Sequence, residues 1–106
     1  MQKIKVQKVD RSRATELDFD NIPLGRTFTD HMFICQYSDG NWQEPQIKPL
    51  ELIPTHPAAM ALHYGQAIFE GMKATKNAAG QPLLFRAYDN AARLNFSAAR
   101  MGMPVF

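Results

Sequence analysis

The run "LHYGQAIFEGMKA", Leu62 to Ala74, sets a His, a Tyr, a Gln, a Phe and a Glu side by side between glycines. An ordinary strand or helix needs no such mixture. A second run, "YDNAARLNFSAARMG", Tyr88 to Gly102, carries Asn90, Arg93, Ser97 and Arg100 on one helical stripe and Ala91, Leu94, Ala98 and Met101 on the next. The i, i+3, i+7 spacing of the apolar stripe is that of a helix with a core side. The polar stripe has two readings: a wet face, or a face on which an Arg holds an anion. Glu70 has the chemistry of a general acid or base, but reads as structural, hydrogen-bonded to nearby backbone. His31, His56 and His63 lack metal-ligand spacing and read as satisfied within the fold. Cys35 reads as a small buried strand residue, since a nucleophile needs an adjacent base. Arg86 and Arg100 read as surface or ion-pair residues.

These residues must be held by surrounding elements. "QKIKVQKVD" alternates through Ile4 and Val6, as a short edge strand does. "RSRATELDFDNIPLG" has no clean period and reads as an extended arm. Phe28 to Tyr37 is rich in aromatic and β-branched residues and reads as a strand. Asp39-Gly40 in "SDGNW" is a hairpin signal, and a further strand is expected around Gln46 to Leu52. "PTHPAAM" has two prolines and reads as loop or unpaired edge. "ALHYG" is expected to be a short strand and "QAIFEG" a single turn. "GMKATKN" and "PLLFRA" read as a second hairpin around "AAGQ". The helix begins near Tyr88 or Asp89 and stops at Gly102, before Pro104. The fold class expected is α+β: an antiparallel sheet of hairpins with one long C-terminal helix packed on it.

With 106 residues, the chain has the size of one domain. At 45% hydrophobic and 21% charged, the composition is that of a globular protein and not of a disordered one. The net charge of +2 is small and the basic residues are scattered, which argues against nucleic acid as a partner. The one cysteine excludes an internal disulfide and fits a reducing compartment. There is no signal-peptide pattern and no apolar run of spanning length, so no membrane is expected and the cytoplasm is the default location. The chain closes on the apolar "GMPVF", where domains usually end polar and frayed, which suggests part of something longer.

Taken in order, "LGRTFTDHMF", "LHYGQAIFEGMKA" and "LFRAYDNAARLNFSAARMGMP" resemble the N-terminal small domain of the branched-chain amino acid aminotransferases, pyridoxal phosphate enzymes of fold type IV. The resemblance runs from about Leu24 to Pro104. It implies an arm or edge strand over residues 1–23 and the small domain over 24–106. A larger domain, absent from this chain, would carry the Schiff-base lysine, so no catalytic residue is assigned here. None of Lys3, Lys5, Lys8, Lys48, Lys73 and Lys76 sits in a matching motif.

The resemblance implies that Arg93 grips the phosphate of pyridoxal 5'-phosphate. The charged fork of a guanidinium suits that dianion. It implies that Tyr64 lies near the substrate carboxylate, where its hydroxyl can donate. Phe69 and Leu24 would line the apolar pocket for a branched side chain. Gly65 and Gly71 would let the backbone come close and turn. Two positions depart from the family pattern: Leu24 stands where Phe is common, and Ala87 replaces a Pro. The implied reaction transfers an amino group between leucine, isoleucine or valine and 2-oxoglutarate, in a homodimer when the protein is whole. The isolated chain is expected to be inactive and to associate with itself through the face that meets the large domain. Two other readings remain. One is a sister enzyme of the same fold, acting on D-amino acids or on an aminodeoxychorismate-like substrate. The other is a non-enzymatic α+β module that binds a phosphate or a protein.

Overall fold

The computed structural model describes residues 3–106 and divides the chain into two units, one ending at Pro54 and the other running Thr55–Phe106. The first unit holds strands β1 (Lys5–Val6), β2 (His31–Ile34), β3 (Tyr37–Ser38), β4 (Asn41–Trp42) and β5 (Gln46–Pro49). The second holds helix α1 (Met60–Tyr64), strands β6 (Ala74–Lys76) and β7 (Pro82–Leu84), and helix α2 (Ala87–Arg100). This is the mixed α+β class the sequence implies, with short antiparallel strand pairs and one long C-terminal helix.

In the first unit β5 is central, with β1 and β2 on its two sides. β2 runs antiparallel to it, from His31 opposite Pro49 to Ile34 opposite Gln46. β1 is an edge strand, as its alternation suggests, but pairs parallel to β5. The expected strand from Phe28 begins only at His31. The arm before it is not simply extended: Arg13–Glu16 form a 3-10 turn, with Ser12 accepting from the Ala14 amide. Asp30 ties that turn down by accepting from the Ser12 hydroxyl at 2.6 Å and from Arg13 Nε at 3.0 Å. Asp39 and Gly40 both have positive φ, 52° and 76°. That is the backbone of a type I′ turn, which matches the twist of the β3–β4 ribbon. Tyr37 and Trp42 face each other across it, edge to face, with centroids 5.1 Å apart.

In the second unit, "ALHYG" forms α1 and not the expected strand. Met, Ala and Leu are good helix formers, and Gly65, at φ 61°, takes the left-handed position that ends the turn. His63 Nε2 lies 2.7 Å from the Pro57 carbonyl, and the Ala58 amide donates to His56 Nδ1. The residues after Gly65 form no regular element up to Ala74, so the expected turn in "QAIFEG" is absent. The hairpin β6–β7 is present, closed by Asn77, whose Oδ1 accepts from the Ala79 and Gln81 amides.

Helix α2 ends in a complete Schellman motif. The Met103 amide donates to the Ala98 carbonyl at 2.9 Å and the Gly102 amide to the Ala99 carbonyl at 3.2 Å. Gly102 has φ 65°, as that motif requires. Its start is less usual, with Arg86 in the left-handed region at φ 52° and no side-chain cap.

Burial is shallow. Ala98 is the one fully buried residue among those described. Even counted as two separate globules of equal size, a 12.0 kDa chain is expected to expose about 7,200 Å², whereas this one exposes 9681 Å². No helix among the described residues is long and apolar enough to cross a membrane.

A Gly102→Ala substitution forces a Cβ into the left-handed region. The expected loss is about 1 kcal/mol, read as a lower denaturant midpoint with unchanged slope.

Candidate functional site

The site is built by the segment after Gly65 lying along α2. At one end Gln66 Nε2 donates to the Met101 carbonyl at 2.9 Å, which satisfies a terminal acceptor of the helix. At the other end stands Glu70. Asn90 and Arg93 are three residues apart, so they share one face of α2, and both reach this carboxylate.

Glu70 Oε2 accepts from Arg93 Nε at 2.6 Å, and Oε1 accepts from Arg93 Nη2. Asn90 Nδ2 donates to Oε1 at 2.9 Å and to the Gly71 carbonyl at 3.1 Å. The Gly71 amide donates to Oε1 at 3.1 Å. The Glu70 side chain is 9% exposed and that of Arg93 67%. A nearly covered charge is tolerated only when it is paired and hydrogen-bonded, and this one has four donor contacts. The Arg93 guanidinium, followed by Asn90, holds the Glu70 carboxyl far below the usual carboxylate range, at about 2. Arg93 is shifted upward by the same pair.

The expected structural role of Glu70, with a bond to nearby backbone, is met by the Gly71 amide. Its pairing with Arg93 is the feature sequence reasoning missed. The signal available was two opposite charges, one in each of the two unusual runs. The anion that Arg93 holds here is the chain's own. The pairing uses the Nε–Nη2 edge of the guanidinium and leaves the edge between Nη1 and Nη2 facing outward. Beside Arg93 is an open depression lined by Phe85, Arg86, Asp89, Asn90 and Arg93. Arg86 pairs with Asp89, as an ion-pair role requires. With Glu70 counted, the formal charges of this cluster cancel, so it offers directed donors and not net charge.

Tyr64 lies at the end of α1 and Phe69 just before Glu70, both in this unit and both largely exposed. Leu24 belongs to the first unit, in a turn through Gly25, and is fully exposed. The covered side of α2 also differs from the expected stripe. Ala98 is buried, but Ala91 and Met101 are exposed, while Leu94, Asn90 and Ser97 are all half-buried. Of the polar stripe, Asn90 is bonded to Glu70 and Gly71 of the 66–71 segment. The three histidines all have hydrogen-bond partners; the third, His31 Nε2, accepts from the Val9 amide at 3.0 Å. No cluster among the described residues has the makings of a metal site.

No family model matches the chain. Curated proteins do. Over 88 residues it is 43% identical to branched-chain-amino-acid transaminase 1 of Bacillus subtilis, covering 82% of this chain and 25% of that protein. Over 104 residues it is 40% identical to branched-chain-amino-acid aminotransferase 2 of the same organism, covering 97% of this chain and 28% of that one. The cytosolic branched-chain-amino-acid aminotransferase of Mus musculus is 42% identical over 90 residues, 84% of this chain and 23% of the mouse protein. The chain belongs to the branched-chain-amino-acid aminotransferase family, and it spans about a quarter of the length of these relatives.

The depressed carboxyl of Glu70 carries a prediction about acid stability. Its folded value lies below the roughly 4.3 of a free glutamate, so the ionised pair adds stability above that pH. The contribution is lost as pH falls toward about 2. Asp18 and Asp30 are also held low, by hydrogen bonds from Asn21 and Ser12 respectively. Comparison with Glu70→Gln isolates one of the three. The variant should lose stability less steeply than the wild type between about pH 4.3 and about pH 2, as followed by denaturant titration at a series of pH values.

Proposed function

We propose that this chain supplies the small domain, residues 24–106, of a pyridoxal phosphate-dependent aminotransferase of fold type IV. The enzyme transfers an amino group between a branched-chain L-amino acid and 2-oxoglutarate. The observation that carries the reading is identity of 40–43% across most of the chain to proteins named for this activity.

Arg93 fits a phosphate in its donor chemistry. It is exposed, permanently charged, and fixed from behind by Glu70, with one N–H edge still facing outward. The cancelled charge around it means that further phosphate donors come from outside this cluster. When bound, pyridoxal phosphate supplies the electron sink that lets the α-carbon of the amino acid exchange its proton and its nitrogen. The chain's own residues bind and orient. Tyr64 offers a hydroxyl to the substrate carboxylate, and Phe69 an apolar wall to the aliphatic side chain. Leu24, with its whole side chain exposed, is free to make apolar contact of the same kind. The lysine that links the cofactor lies in the large domain. The surface exposed beyond what a folded chain of this mass shows supports a partner domain that covers it. A cytoplasmic homodimer is the proposed whole.

Two experiments test this. The product of the complete gene should transaminate leucine with 2-oxoglutarate, and Tyr64→Phe should raise KM for the amino acid about tenfold, the worth of one hydrogen bond to a charged group. The homogeneous 106-residue chain should show no turnover and should sediment as species larger than 12.0 kDa at high concentration. Turnover by the chain alone, or a strict monomer, contradicts the reading.

A further inference from the structure

We infer that Glu70 is a positioning residue: by holding the inner edge of the Arg93 guanidinium it aims the outer edge at the cofactor phosphate. The inference rests on the proposed role of Arg93 as the phosphate ligand, and it adds a function for a carboxylate to which that reading gives none.

Three observations carry it. The first is the division of the guanidinium. A guanidinium has two edges that can present parallel N–H groups, one between Nε and Nη2 and one between Nη1 and Nη2. Glu70 occupies the first with both oxygens. Only the second is left for a bidentate ligand. The second observation is the contrast in exposure, 9% for the carboxylate against 67% for the arginine. The acid is the anchor and the base is what the surface presents. The third is that the anchor is itself fixed. Oε1 takes the Gly71 amide and Asn90 Nδ2, and the same Asn90 amide group grips the Gly71 carbonyl. The carboxylate is thereby tied to its own backbone and to the helix that bears Arg93. A free arginine side chain has several rotatable bonds to freeze when it binds. Here the freezing is done before the ligand arrives, which is preorganisation.

Charge and geometry make opposite demands at this point, and that gives the inference a sharp test. A carboxylate behind a phosphate ligand repels the dianion. If its charge were the dominant effect, Glu70→Gln would strengthen phosphate binding. If positioning dominates, the same change weakens it, because Gln offers only one acceptor to a fork that needs two.

The experiment uses the product of the complete gene in its cofactor-free form. The affinity for pyridoxal phosphate is divided by that for pyridoxal, which lacks the phosphate. The ratio isolates the phosphate contact from general damage to the site. Glu70→Gln should lower the ratio at least tenfold, and Glu70→Asp, which keeps both oxygens on a shorter stem, should restore part of it. A ratio unchanged or raised in Glu70→Gln overturns the inference. If Glu70→Gln does not fold, Asn90→Ala is read instead: it leaves the ion pair but loosens its anchor, and should lower the ratio at least threefold, a smaller fall counting against the inference. Arg93→Gln separates this failure from that of the underlying reading. If Arg93→Gln leaves the ratio intact, Arg93 is not the phosphate ligand and both fall. If it collapses the ratio while Glu70→Gln does not, the phosphate role stands and only the positioning role is lost.

Discussion

A carboxylate that is almost covered and still ionised constrains everything around it. Glu70 keeps its charge because Arg93, Asn90 and the Gly71 amide converge on it. Those donors come from two segments that are otherwise loosely joined, the irregular stretch after Gly65 and helix α2. Besides the ion pair, that stretch is held against the helix by the Asn90 bonds to Glu70 and Gly71 and by the Gln66 bond to the Met101 carbonyl. The placement of Phe69, one residue before Glu70, follows from the same anchor.

The second constraint is surface. The second unit has one buried side chain, Ala98, and leaves Tyr64, Phe69, Phe85, Tyr88 and Phe96 largely exposed. Aromatic side chains bring large apolar areas that water disfavours, so each of these exposed rings leaves burial energy unused. Local rules carry the fold instead of a core: a type I′ turn at Asp39-Gly40, a Schellman end at Gly102, and Asn77 closing a hairpin on itself. Each is satisfied within a few residues. The small α+β frame therefore forms its elements largely from local contacts.

The same distinction explains what could be read from sequence. Asp39-Gly40 and Gly102 signal their turns because the left-handed backbone selects glycine and, less strongly, aspartate. The α2 helix is legible from its composition and its stop. "ALHYG" is not, because five residues carry no period, and the glycine behind them suits the end of a strand as well as the end of a helix. Asn90 is half-buried where Glu70 and Gly71 bond to it, and no pattern within the helix encodes that. Tyr64, Phe69 and Arg93 stand in recognisable runs, so roles could be proposed for them from sequence. The bond between the runs, Glu70 to Arg93, is a long-range contact that no local pattern encodes.

The most direct measurement is a crystal structure of the complete gene product with pyridoxal phosphate bound. Expected are phosphate oxygens about 3 Å from the Nη1 and Nη2 atoms of Arg93, with Glu70 still on the Nε edge and Tyr64 and Phe69 facing the cofactor. A phosphate held wholly by other groups, with Arg93 turned to solvent or Glu70 displaced from it, would contradict the role given to this chain.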